Sequence, residues 1–203
     1  MANHENAIDA RATFITLMLR EDHQKVKQLF DQFNESTNTN EKRNIVTAAL
    51  AALEVHAKLE EELIYPALQE HVDEQGLTDK ALAEHHVVHL LIQELKEINP
   101  EDEMYHAKFT ILSEHVTHQI KEEEEKIFPQ VEKAGLDWDR LTKQVIERRQ
   151  SLEQKTLWLL GVPVIGSARE TVSATRGVLS HRPGSLVPSD QASRHSRARN
   201  SPS

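Results

Sequence analysis

The residues of this sequence best equipped for chemistry are its histidines and glutamates. The 203-residue chain holds twelve His and 33 Asp plus Glu, and no Cys. Imidazole is the commonest metal ligand and the one side chain that ordinarily titrates near neutrality. Two local patterns place it beside a carboxylate: His56-x3-Glu60 within HAKLEEELIYP, and His118-x3-Glu122 within HQIKEEEEKIFP. Side chains four residues apart on a helix share a face, one turn from each other.

These patterns belong to a larger repeat. His23 precedes His56 by 33 residues, and His85 precedes His118 by the same 33. Adding 62 carries His23 onto His85, His56 onto His118 and Glu60 onto Glu122. Asp22-His23 and Glu84-His85 match as acid–His pairs, and both patterned helices end in aromatic-Pro, Tyr65-Pro66 and Phe128-Pro129, the second one residue later. The chain reads as two copies of one helical hairpin.

Imidazole nitrogen suits iron, zinc and copper, and one carboxylate can bridge two ions through its two oxygens. Two His-x3-Glu pairs with two further His therefore supply a four-His, two-Glu dinuclear centre inside a helical bundle. Without Cys there is no disulfide framework, thiolate zinc site, iron–sulfur cluster or cysteine nucleophile. Ligand type alone leaves a zinc pair open.

The elements that must position these groups are helices. Apolar residues recur at three and four spacings over 8–33, 45–68, 82–98 and 109–131, which predicts four helices. NESTNTN is a polar break that can cap at Asn40. DEQGLTD supplies a Gly and a cap at Thr78 or Asp79, and INPED restarts a helix at Pro100. Short connections make neighbours antiparallel, so the expected fold is all-α, an up-down-up-down four-helix bundle. A fifth amphipathic stretch, 138–160, can pack outside it.

Composition changes near residue 160. Only two of six Gly and three of seven Pro precede it, and the segment 161–203 is Ser-, Arg- and Pro-rich, an expected disordered tail. The tail carries six Arg and two acids, leaving 18 basic against 31 acidic residues before it, a charge of −13. That balance disfavours a nucleic-acid interface on the helical part. The longest apolar run, 157–168, is short and broken by Gly161, Pro163 and Gly166, so no membrane span is predicted. The N-terminus lacks a secretory pattern, and a cytoplasmic location is the expectation.

DHxxVxxLF from Asp22, HAKLEEELIYPAL, EHHVVHLLIQEL and HQIKEEEEKIFPQVEKAGLD together resemble the hemerythrin-like HHE cation-binding domain over roughly residues 13–150. The resemblance implies a bundle holding a non-haem di-iron centre, two oxo- or hydroxo-bridged irons, with zinc or manganese less favoured. It implies His23, His56, His85 and His118 as terminal ligands and Glu60 and Glu122 as bridges. It implies a partner that is O2, nitric oxide or peroxide, together with a separate electron donor. His89, whose first-half counterpart is Lys27, has the i, i+4 spacing from His85 that oxygen-carrying hemerythrins use, so it is either a further ligand or a histidine beside the site. Storage or delivery of iron, and a metal-stabilised partner-binding module, are the alternative functions. Glu61, Glu62, Glu123, Glu124 and Glu125 form acidic runs, mostly solvated, in which Glu61 or Glu123 becomes a bridge if a helix is rotated. His115 is read as a surface group or one beside the site, and His4, His71, His86, His106, His181 and His195 as bystanders.

Overall fold

The computed structural model describes residues 10–70 and 76–159, all of them helical or in short connections. The expected disordered tail, the 157–168 apolar run beyond Leu159, and His4, His71, His181 and His195 lie outside the described residues.

Helix α1 spans Ala10–Glu35 and α2 Thr39–Leu59. Asn38, not Asn40, caps α2: its Oδ1 accepts from the backbone N–H of Asn40 at 2.9 Å and Glu41 at 3.1 Å. The second rod does not end at its proline. It passes through a π-helical segment, Glu60–Ile64, and continues as α3, Tyr65–Gln69. Helix α4, Leu77–Glu97, starts after Gly76, whose φ of 62° is the left-handed conformation that favours glycine; neither Thr78 nor Asp79 caps it. Helix α5, Glu103–Glu122, is capped by Asp102, whose side chain accepts from Met104 N–H at 2.8 Å, so it begins three residues beyond Pro100. A second π segment, Glu123–Ile127, leads into α6, Phe128–Lys133.

The prolines explain both π segments. Proline lacks an N–H and its ring collides with the carbonyl four residues back, which breaks an ordinary helix. Here the residue before each proline reaches one residue further: Tyr65 N–H bonds Glu60 C=O and Phe128 N–H bonds Glu123 C=O. That widened turn lets the rod continue instead of stopping.

Helix α7, Trp138–Leu159, packs on α1, α2 and the first π segment. Its arginines bind back onto the bundle, Arg148 to Glu62 at 2.6 and 2.8 Å and Arg149 to Asp22. Two apolar clusters fill the bundle. One gathers Ile15, Leu19, Tyr65, Phe128 and Val145; the other gathers Phe30, Phe33, Leu53, Phe109 and Val116. His23 lies on α1 between Leu19 of the first cluster and Val26 of the second, so a polar layer separates the two apolar ones.

Candidate metal centre

The polar layer is built from α1, α2, α4 and the two π segments. His23, His56, His85, Glu60 and Glu123 are all buried there, Glu60 at 0 % and Glu123 at 3 % exposure. The Nε2 atoms of His23 and His56 lie 3.1 Å apart. His23 Nε2 is 3.2 Å from Glu123, and His56 Nε2 is 3.2 Å from Glu60. His85 Nε2 approaches both carboxylates, at 3.5 Å from Glu60 and 3.6 Å from Glu123. Potential ligand atoms of His23, His56, Glu60 and Glu123 all lie within 4.8 Å of one another.

Every one of these imidazoles turns its other nitrogen toward a carboxylate. His23 Nδ1 is 2.9 Å from Glu124, and His85 Nδ1 is 2.9 Å from Glu61. His56 Nδ1 sits 3.5 Å from Asp22, an ionic approach that leaves this nitrogen without a hydrogen bond. A carboxylate behind a ligating imidazole fixes its tautomer and ring orientation, which is how metal-binding histidines are ordinarily supported. The supports are themselves held: Arg20 bonds Glu124 at 3.0 Å, Arg149 bonds Asp22, and His89 Nε2 bonds Glu61 at 2.8 Å.

The charge balance favours a cation. Burying a carboxylate is costly without a compensating charge, and among the described residues the ion-pair contacts of Glu60 and Glu123 are all with imidazoles. Glu60 Oε1 is buried with no hydrogen-bond partner among the described residues. Tyr65 OH lies 3.1 Å from Glu60 and 3.0 Å from Glu123. Burial and these two charges push its ionisation well above the usual phenol range, so it carries one proton to share between two carboxylates. In the protein alone the deficit is met by protons: burial pulls His56 and His85 down, but Glu60 with Asp22, and Glu123 with Glu61, outweigh it and raise both, His85 to about 9. Burial likewise raises Glu123, and its contacts with His23 and His85 more than reverse this. Metal ions displace such protons. Two nitrogens at right angles on one ion, each about 2.1 Å from it, lie about 3 Å apart, the separation that His23 and His56 have. The residues present fit a metal.

The structure sets two of the sequence-derived candidates apart from the buried layer. His118, with its side chain 66 % exposed, and Glu122 form a second, outer group with Glu84, whose potential ligand atoms also lie close enough together to hold a cation. Glu122 is already paired with Lys80 and Lys126, which hold its carboxyl down at about 2. Glu123 occupies the buried place instead. The repeat through the carboxylates and prolines has an offset of 63, relating Glu60 to Glu123, Glu61 to Glu124 and Pro66 to Pro129, whereas the histidine relations, His23–His85 and His56–His118, keep 62. The buried residues Tyr105, Phe109, Leu112, Val116, Gln119 and Ile120 mark the inner face of α5, and its continuation reaches 123, not 122. That periodicity was the signal available in the sequence. Neither His85 nor His89 belongs to the tight group of His23, His56, Glu60 and Glu123, but His85 Nε2 approaches both buried carboxylates whereas His89 Nε2 rests on Glu61 beside the centre.

A helical bundle with a buried layer of imidazoles and carboxylates poised for a cation defines a class of metal-binding bundle. Residues 15–131 match the family model described as the hemerythrin HHE cation binding domain, more than half of the chain, and the chain belongs to that family. Over 111 residues it is 26 % identical to a DNA nickase of a Nostoc species, an alignment covering 55 % of this chain and 31 % of that protein, so it spans about a third of that relative's length. In fold it is similar to the crystal structure of a hemerythrin HHE cation-binding domain-containing protein from Mycobacterium kansasii. The TM-score is 0.59 and the identity 23 %, over 70 % of this chain and 89 % of that one. No described helix is long and apolar enough to cross a membrane.

Proposed function

We propose that this chain holds two iron ions and binds or reacts with O2, peroxide or nitric oxide. The observation that carries the reading is the convergence of three imidazole Nε2 atoms on two buried carboxylates, each imidazole directed from behind by an acid. In this reading His23, His56 and His85 are terminal ligands and Glu60 and Glu123 bridge. Iron in that place would supply the electrons that a diatomic or peroxide accepts. The residues of the chain do the rest. Glu124, Glu61 and Asp22 orient the imidazoles, Tyr65 donates to a bridging carboxylate, and the apolar side chains on either side exclude bulk water.

The oxygen and nitrogen donor set suits iron and zinc alike, and the preference for iron rests on the resemblance to the hemerythrin family. The test is metal analysis of the purified protein with an optical spectrum before and after O2 reaches the reduced form. Iron with visible and near-ultraviolet charge-transfer bands supports the reading; zinc alone, or no metal, contradicts it. Steady consumption of peroxide or nitric oxide with a reductant marks an enzyme, and stoichiometric binding marks a carrier or sensor. DNA cleavage is not proposed, because the match to the nickase covers under a third of it and the helical part carries −13.

A further inference from the structure

The repeat that builds the centre is broken at one position. His56 precedes Glu60 by four residues, and four residues before Glu123 the chain has Gln119. Its side chain is buried at 6 % exposure, and its Nε2 has no hydrogen-bond partner among the described residues. A buried amide N–H left unmade is costly, and such groups in native structures call for an explanation.

Gln119 lines two adjoining cavities. One, of about 30 Å³, lies among His23, His56, His85 and apolar side chains that include Val88 and Val116. The other, of about 20 Å³, lies between Gln119 and the outer group of Lys80, Glu122 and Lys126. The first is large enough for a water or a diatomic molecule and mostly apolar-walled. An amide is a weaker metal ligand than imidazole. The His85 half of the layer therefore has one strong donor fewer than the half made by His23 and His56, and the cavity adjoins that gap.

We propose that Gln119 donates a hydrogen bond to a small ligand in this cavity, a diatomic or triatomic molecule with an exposed lone pair, and so sets which ligands the centre retains. This rests on the metal-centre reading above. A donor facing the ligand favours oxygen species and anions, whose terminal atoms accept a hydrogen bond, over carbon monoxide, which accepts weakly.

The experiment uses azide as the probe. Full-length protein loaded with iron and oxidised is titrated with sodium azide for the wild type, Gln119→Leu and Gln119→Glu, with iron content measured on each sample and the azide stretch recorded by infrared spectroscopy. The expected result is iron content like the wild type in Gln119→Leu, azide affinity weaker by roughly tenfold or more, and a shifted azide stretch. Gln119→Glu, an acceptor in place of a donor, weakens azide at least as much. The metal-free Gln119→Leu protein melts no lower than the wild type, because the unpaired Nε2 contributes nothing without the ligand. Unchanged azide affinity and stretch in an iron-loaded Gln119→Leu protein overturn the proposal alone. A metal-free melting temperature several degrees lower marks the amide as structural and overturns it too. Failure of the wild type to load iron overturns the underlying reading, and this proposal with it.

Discussion

The Nε2 atoms of His23 and His56 face each other across 3.1 Å, 33 residues apart in sequence, with a carboxylate behind each ring. At that separation the two nitrogens share at most one hydrogen between them. The arrangement is relieved when a cation accepts both lone pairs. His56→Ala is therefore expected to abolish metal retention, whereas His118→Ala, at a site 66 % exposed, leaves it unchanged. Metal per chain after gel filtration checks this, and equal loss in both variants would contradict the placement.

In the metal-free protein the layer makes stability depend on pH in a stated direction. His85 is raised to about 9 and His56 also lies well above the free value. A raised imidazole contributes stability fully below its unfolded value, about 6.5, and loses it as pH climbs through the folded value. Asp22 is the opposite case: burial would raise it, but His56 and Arg149 bring it down from 3.8 to about 2, so its contribution is present above 3.8 and lost toward 2. Melting temperature is expected to be highest between about pH 4 and 6.5 and to fall toward pH 9. A steady rise from pH 6.5 to 9 would contradict the placement. Iron-loaded protein lacks the alkaline decline, since bound imidazoles are already deprotonated.

Arg149 links the outer helix α7 to the centre. It forms two hydrogen bonds to Asp22, which faces His56, and both side chains are under 20 % exposed. Arg149→Ala leaves that carboxylate without its cation and is expected to cost about 1–3 kcal/mol of stability, with faster metal loss to a chelator. Chemical denaturation and chelator kinetics measure both. A variant with lost stability but unchanged chelator kinetics would confine Arg149 to packing α7.

Much of this was legible in the sequence. Four helical stretches followed from apolar periodicity, α7 from the 138–160 pattern, and His23, His56, His85 and Glu60 from their spacing. What was not legible was the register of the fourth rod. Four consecutive glutamates, 122–125, offer the same chemistry at every rotation, and the histidine offset of 62 selected Glu122. The proline offset of 63 was the better guide, because each proline fixes where its π turn forms, and that turn begins with the inward-facing glutamate. The aromatic-Pro pairs were read as helix ends for the same reason: a periodicity of 3.6 does not foresee a widened turn. The bond of Arg20 to the backbone C=O of Glu124 at 3.4 Å and the stacking of Phe128 on His23 at 5.5 Å depend on that register as well.

Iron content per chain, compared among wild type, Glu123→Gln and Glu122→Gln, tests the central claim most directly. With Glu60 and Glu123 bridging, wild type and Glu122→Gln are expected to carry about two irons each, the stoichiometry of a bundle di-iron site, and Glu123→Gln well under one. Full retention in Glu123→Gln, or absence of iron from the wild type, would contradict the account.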